Sequence, residues 1–163
     1  MKNNIINLTA NESFIAATVG IRRRISSIYK SKIGNYERED VNINKRGWGT
    51  DVESAAAELA VGKYLNIYWD FSVNTGKAPD VGEFQVRQTE LDYGSLIFRD
   101  GDNTNEKYIL VVGSIPTFKI IGWIYGYSCK QDKYLKNPHN TTEAWFVPQS
   151  DLLSMDTISM IAK

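Results

Sequence analysis

The chain changes character at about residue 66, and this change limits the folds that it can adopt. Before it, two segments carry apolar residues at helical spacing. After it, short apolar runs rich in β-branched and aromatic residues alternate with turn residues, which is typical of strands. The order of helix, connection, helix and several strands predicts an α/β fold, with α+β as the alternative. A length of 163 residues favours a single domain over residues 1–163.

The first helix is predicted over residues 10–28. Thr9 or Asn11 is a plausible N-cap, and apolar residues recur at roughly helical spacing from Phe14 to Ile25. The segment that follows, residues 31–50, is polar, contains glycines and lacks either periodicity. It is therefore predicted to be a long connection.

The second helix is predicted over "DVESAAAELAVGKYLN", residues 51–66. The segment is rich in alanine and free of proline, and Thr50 or Asp51 is positioned to cap it. Apolar side chains form one stripe along this helix, which predicts that one face packs against the core.

Six apolar runs in the second half are predicted strands: "IYWDFSV", "FQVRQT", "SLIFR", "YILVVG", "FKIIGWIYGYSC" and "AWFVP". Between two of them, "RDGDNTNEK", residues 99–107, is interpreted as a hairpin turn rather than a calcium loop, because it lacks the required glycine and distal glutamate. The last segment is predicted to form a short helix capped by Ser150.

Composition excludes several classes of protein and site. Lysine and arginine together number 19, as do aspartate and glutamate, so any nucleic-acid site must be a local basic patch. Cys129 is the only cysteine, which excludes an internal disulfide and a zinc site built on several cysteines. No apolar run approaches the roughly 20 residues of a membrane span, and a soluble cytoplasmic protein is expected.

The segment "PDVGEFQVR", residues 79–87, carries the candidate chemistry. Side chains alternate across a strand, so Phe84 and Val86 would point into the core. The polar side chains on the opposite face are Glu83, Gln85 and Arg87. Asp80 precedes them and supplies a carboxylate, the hard oxygen ligand that Mg²⁺ prefers.

These residues resemble the motif of the PD-(D/E)XK family, the restriction-endonuclease-like phosphodiesterases. Pro79-Asp80 and then Gln85-Val86-Arg87 stand at the places of the motif. Upstream, "AELAVGKYL", residues 57–65, is similar to the family's helix pattern and puts Glu58 at its acidic position. The order of helix, intervening strand, aspartate turn and polar strand covers residues 50–90. The rest of the chain is similar to a group of small phage proteins.

The resemblance implies a mixed central sheet flanked by helices and a nuclease that hydrolyses phosphodiester bonds in DNA with Mg²⁺ or Mn²⁺. It implies that Asp80, Gln85 and the Val86 carbonyl hold the metal. Glu58 would hold an outer water, and Arg87 would stabilise negative charge. Glu83 is a possible additional acid.

Two alternatives stay open because glutamine is a neutral ligand and arginine does not act as a base. The first is a catalytically degenerate protein of the same fold that binds DNA or a host protein. The second is a structural or regulatory phage protein with an unrelated α+β fold, in which Glu58, Asp80 and Gln85 lie far apart. For Glu58 itself, the alternative is a solvated helix residue.

Basic residues outside this motif are candidates for contacts with DNA phosphates: Arg23, Lys30, Lys45 and Arg46. An ordinary solvated surface is the alternative for all four. His139 lies in a polar loop and is expected to be exposed, and the four tryptophans are expected in the core or at its rim.

Overall fold

A computed structural model of the chain describes residues 3–33, 41–73, 78–137 and 143–160, without the side chains of residues 31–33, 41–46 and 159–160. The fold is mixed α/β, as predicted. The helices are α1 (Ala10–Ile33), α2 (Val41–Leu65) and the four-residue α3 (Gly126–Cys129). The strands are β1 (Ile5–Asn7), β2 (Phe84–Thr89), β3 (Leu96–Phe98), β4 (Lys107–Ser114), β5 (Thr117–Tyr125), β6 (Leu135–Lys136) and β7 (Ala144–Val147).

Helix α1 begins at the predicted cap. The amide of Glu12 donates to Thr9 Oγ1 at 3.2 Å, and the amide of Thr9 donates to Glu12 Oε2 at 2.7 Å. This reciprocal arrangement is a capping box, which satisfies two backbone donors at the start of a helix. The prediction of Thr9 as N-cap is confirmed, and the helix continues beyond residue 28 to Ile33.

The predicted connection over residues 31–50 is wrong, because α2 already begins at Val41 and contains Thr50 and Asp51. Residues 34–40 lie outside the described part of the chain. Contacts with α1 explain a helix where local sequence did not predict one. Asp51 Oδ2 lies 2.8 Å from Arg24 Nε in an ion pair, and Gly47 lies so close to the Arg24 side chain of α1 that a Cβ there would clash with it. Tertiary packing therefore outweighs weak helix propensity.

The central sheet has the strand order β1-β5-β4-β2. Strand β2 is parallel to β4, and the other neighbours are antiparallel. Strand β2 is thus an edge strand of a mixed sheet. On β4, alternate side chains face opposite sides: Ile109 and Val111 pack with the helices, whereas Tyr108 and Leu110 pack with the second sheet.

A three-stranded antiparallel sheet, in the order β3-β7-β6, covers the other face of the central sheet. The interpretation of residues 99–107 as a hairpin turn is wrong, because β3 and β4 belong to different sheets. The reason is that β2 and β5 occupy both edges of β4, which leaves β3 to bury Leu96 and Phe98 in the layer between the sheets. Both long helices lie on the opposite face, so the restriction-endonuclease-like arrangement remains a prediction.

Two further local predictions are wrong. Residues 67–73, predicted as the strand "IYWDFSV", have no regular structure and follow the end of α2. Trp69 and Val73 pack in the core on the helix side of the sheet, whereas Tyr68 is largely exposed. The final segment forms short 3₁₀ helices at Gln149–Asp151 and Met155–Met160, but the predicted cap is wrong, because Ser150 lies inside the first of them.

Trp69 and Trp123 are buried in the core and Trp145 is half-buried, as expected, whereas Trp48 is exposed. Within the described residues, no helix has both the length and the apolar character needed to cross a bilayer.

Candidate functional site

Asp80 is held against the start of β2 by a tight turn. The amides of Asp80 and Val81 both donate to the Phe84 carbonyl, at 2.9 and 3.0 Å, and Gly82 adopts a φ of 58° inside the turn. Glycine adopts this left-handed conformation without the steric cost that a Cβ would add. The turn folds the chain back so that the Asp80 side chain reaches the next residues of the strand.

The Asp80 carboxylate binds the strand itself. The Val86 amide donates to Asp80 Oδ2 at 2.8 Å, and this is the one hydrogen bond to the carboxylate from the described residues. The N–H and C=O of a strand residue point to the same side, so the Val86 carbonyl faces the same free edge of β2. Asp80 and the Val86 carbonyl are therefore two oxygen donors at the edge of β2 that pairs with no other strand among the described residues.

Burial raises the pKa of the Asp80 carboxyl, because removal from water disfavours the charged form. The hydrogen bond from Val86 and the positive charges of Arg87 and Arg23 act in the opposite direction, and Glu106 adds to the increase. Asp80 is consequently a half-buried acid whose charge two cations influence without a hydrogen bond or ion pair to it among the described contacts.

Gln85 and Arg87 lie on the face of β2 opposite Phe84 and Val86, as predicted. Gln85 Nε2 donates to the Ala78 carbonyl at 3.2 Å, which ties the strand to the segment before Asp80. The amide oxygen of Gln85 is then free to accept. Phe84 is in the core, and Val86 packs against it, which confirms the predicted alternation.

Arg87 is directed toward the second sheet rather than toward Asp80. Its Nη2 lies 3.0 Å from Asp102 Oδ1, and its guanidinium stacks over Tyr108 at 5.0 Å. A further, longer bond of 3.3 Å runs from Arg87 Nη1 to the Val86 carbonyl. Arg87 therefore contacts the Val86 carbonyl at the edge of β2, while its guanidinium is also ion-paired with Asp102.

Glu83, the possible additional acid, lies in the turn before β2. Its Oε1 is 2.6 Å from Lys107 Nζ on β4, and most of its side chain is exposed. Lys107 also lies over the Phe84 ring at 5.6 Å, so Glu83 is engaged on the Phe84 side of the sheet, and the prediction that it shares a face with Gln85 and Arg87 is wrong.

Glu58 lies in the interior instead of at a solvated surface, and only 4% of it is exposed. Arg23 Nη1 and Nη2 bind Glu58 Oε1 and Oε2, each at 2.6 Å, and Trp69 Nε1 donates to Oε2 at 3.0 Å. The reading of Glu58 as a solvated helix residue is wrong. The arrangement occupies both carboxylate oxygens, so in this structure Glu58 is engaged by protein donors and not open to a metal-bound water.

Arg23 completes this buried cluster. Its Nε and Nη2 also donate to the Ser72 carbonyl, at 3.1 and 2.8 Å, and the cluster thereby joins α1, α2 and residues 67–73. Burial raises the pKa of Glu58 and the charge of Asp80 raises it further, whereas Arg23 and Trp69 lower it. Arg23 is committed to this ion pair and does not form part of an open phosphate-binding surface.

The remaining basic candidates for phosphate contacts are Lys30, Lys45 and Arg46. Lys30 is exposed on α1. Lys45 and Arg46 fall in the first turns of α2, outside the residues whose side chains the structure describes, and His139 lies outside the described residues altogether. Among described residues, no group of three or more His, Cys, Asp or Glu is arranged to hold a metal ion.

The sequence did not reveal Trp69, Ser72 and Asp102 as partners of the site residues. The signal for the buried pair was faint: alanines border Glu58 at positions 55–57 and 60, which allows another helix to approach closely. Nothing comparable marked Asp102, which lies in a turn of the chain 15 positions after Arg87.

The chain was compared with protein-family models, with curated proteins and with solved structures, and none of the three comparisons gave a match.

Proposed function

We propose that the chain is a metal-dependent nuclease that hydrolyses phosphodiester bonds in DNA, with Asp80 as its central residue. The single observation that supports this most is the position of the Asp80 carboxylate, fixed by Val86 at the free edge of β2 beside the Val86 carbonyl. A substrate could approach an open sheet edge, whereas it could not reach an acid inside the core.

The proposed ligands are all oxygen atoms, the type of ligand that Mg²⁺ and Mn²⁺ prefer. Asp80 would supply the carboxylate, the Val86 carbonyl and the Gln85 amide oxygen would supply neutral oxygens, and waters and a substrate phosphate would complete the shell, as is common for Mg²⁺. When bound, such an ion polarises the phosphodiester and lowers the pKa of a bound water. Glu58 has no part in this set, because Arg23 and Trp69 occupy it.

The side chains around Asp80 would perform the remaining tasks. Asp80 must be ionised to bind a cation, and the positive charges of Arg87 and Arg23 favour that form. Arg87 would place positive charge next to the phosphate, which stabilises negative charge in the transition state. It does not serve as a base, since arginine stays protonated.

Plasmid cleavage in Mg²⁺ or Mn²⁺ tests the proposal with the pair Asp80→Asn and Asp100→Asn. Asp100 is a matched control, because its side chain is largely exposed and it pairs with Lys130 away from β2. We expect Asp80→Asn to lose at least about 100-fold in cleavage rate, as loss of a metal-supporting group does. Undiminished cleavage by Asp80→Asn would remove Asp80 from the mechanism.

The second candidate is a protein of the same type that has lost catalysis and binds DNA or a host protein. The buried Arg23–Glu58 pair favours it, because the acid expected from the helix is used for stability. Calorimetry with Mn²⁺ separates the two. The nuclease should show a binding isotherm that Asp80→Asn abolishes, whereas the degenerate protein should bind its partner equally well in EDTA.

A further inference from the structure

Helix α1 carries an apolar stripe on the side that faces away from α2. Phe14 and Tyr29 are 73% and 65% exposed, and Ile21 and Ile25 between them are 42% and 43% exposed. Seven, eleven and fifteen residues separate Phe14 from the other three, which is close to whole helical turns. The four side chains therefore form one continuous stripe, about 22 Å long at 1.5 Å per residue.

The stripe is not needed to hold α1 in place. The opposite side of the helix already packs on α2 through Ala16 and Val19, which are buried, and through Gly20, which touches the α2 backbone. Arg23 adds the buried ion pair. Isolated apolar side chains at a surface are ordinary, but a continuous row along one helix indicates a contact surface.

We propose that the α1 stripe, defined as Phe14, Ile21, Ile25 and Tyr29, is the interface of a homodimer in which two α1 helices pack antiparallel. The stripe can pair with itself in one antiparallel register, in which aromatic residues meet at both ends, Ile21 lies opposite Arg22 and Ile25 lies opposite Thr18 of the other copy. In the antiparallel arrangement, Phe14 of each copy meets Tyr29 of the other. Closed two-fold symmetry requires such a self-complementary patch.

The area of the stripe supports a second copy as its occupant. The four side chains expose on the order of 400 Å² in each copy, given about 150–250 Å² for a fully exposed aromatic side chain. The four side chains of two copies together expose about 800 Å², and with the exposed flanking residues Thr18 and Arg22 the surface approaches about 1,000 Å², the lower limit for a specific interface. Opposed helix dipoles add a small favourable term to antiparallel packing.

Analytical ultracentrifugation of the full chain tests the proposal at loading concentrations from about 1 to 100 µM, which suit a small interface. We expect twice the monomer mass at the upper concentrations, and the monomer mass throughout for the double variant Ile21→Glu/Ile25→Glu. The control is Leu91→Glu/Tyr93→Glu, which changes two exposed apolar residues elsewhere and should leave the dimer intact. A monomeric wild type, or a dimer that survives the α1 variant, overturns the proposal.

Cross-linking tests the orientation and does not depend on any charge introduced at the stripe. Thr18→Cys mixed with Ile25→Cys should link through a short bis-maleimide, whereas Ile25→Cys alone should not, because an antiparallel pair sets residue 18 of one copy beside residue 25 of the other. The native Cys129 is buried and gives little background. Efficient self-linking of Ile25→Cys overturns the antiparallel arrangement. Nuclease activity does not enter either measurement.

Discussion

Two buried or half-buried carboxylates, Glu58 on α2 and Asp80 before β2, serve different purposes in this protein. Glu58 is bound on both oxygens by Arg23 and also by Trp69, and it joins two helices to residues 67–73. Asp80 accepts one hydrogen bond from the backbone, and the charges of Arg87 and Arg23 act on it only through longer-range electrostatics. A buried acid that is fully paired is costly to unpair, whereas an acid that is buried without a paired cation is available for chemistry and reduces stability.

The largest expected effect comes from breaking the paired acid. Glu58→Ala leaves Arg23 buried without its partner and should lower the free energy of unfolding by about 3–5 kcal/mol. Urea denaturation followed by circular dichroism measures it. The double variant Arg23→Met/Glu58→Leu should recover most of the loss, because no unpaired charge remains. Equal destabilisation by the single and double variants would mean that the loss does not come from an unpaired Arg23 charge.

The next effect concerns the turn that places Asp80. Gly82→Ala adds a Cβ at a φ of 58° and should cost about 1–2 kcal/mol of stability. Space is not the cause, since the nearest atom would be an Ile67 side-chain carbon at 3.4 Å. We also expect weaker Mn²⁺ binding in calorimetry, because the turn carries the carboxylate to β2. If stability falls but the Mn²⁺ affinity is unchanged, then the conformation of this turn is not needed for Mn²⁺ binding.

The smallest effect has the opposite sign. Asp80→Asn should raise the free energy of unfolding at pH 7 by about 1 kcal/mol, because an amide avoids the cost of a buried charge and still accepts from Val86. A raised pKa in the folded state means that the stabilising contribution is complete below the unfolded pKa of about 4 and is lost as the pH rises through the folded pKa.

The difference between Asp80→Asn and wild type should therefore be small near pH 4 and grow toward pH 7. Urea denaturation of both proteins at several pH values measures it, and Asp100→Asn should show no such trend. A variant that is less stable than wild type at pH 7 would mean that the fold stabilises Asp80 as an anion.

The sequence predicted well where local chemistry decides the structure. The capping box at Thr9, the α2 helix around its alanines and the alternation of Phe84, Gln85, Val86 and Arg87 all follow from spacing and residue type. It failed where distant residues decide. Residues 41–50 are helical because α1 packs against them, and residues 67–73 are irregular although their composition suits a strand.

The sequence by itself determined which side chains point together along each helix and strand, and therefore that Asp80, Gln85 and Arg87 belong to one short segment. Only the tertiary structure decided their partners: Arg23 for Glu58, the Val86 amide for Asp80 and Asp102 for Arg87. The physical reason is that periodicity fixes directions within an element, whereas ion pairing and burial depend on which elements meet. A carboxylate in a motif thus becomes structural or reactive according to the cation that the fold brings to it.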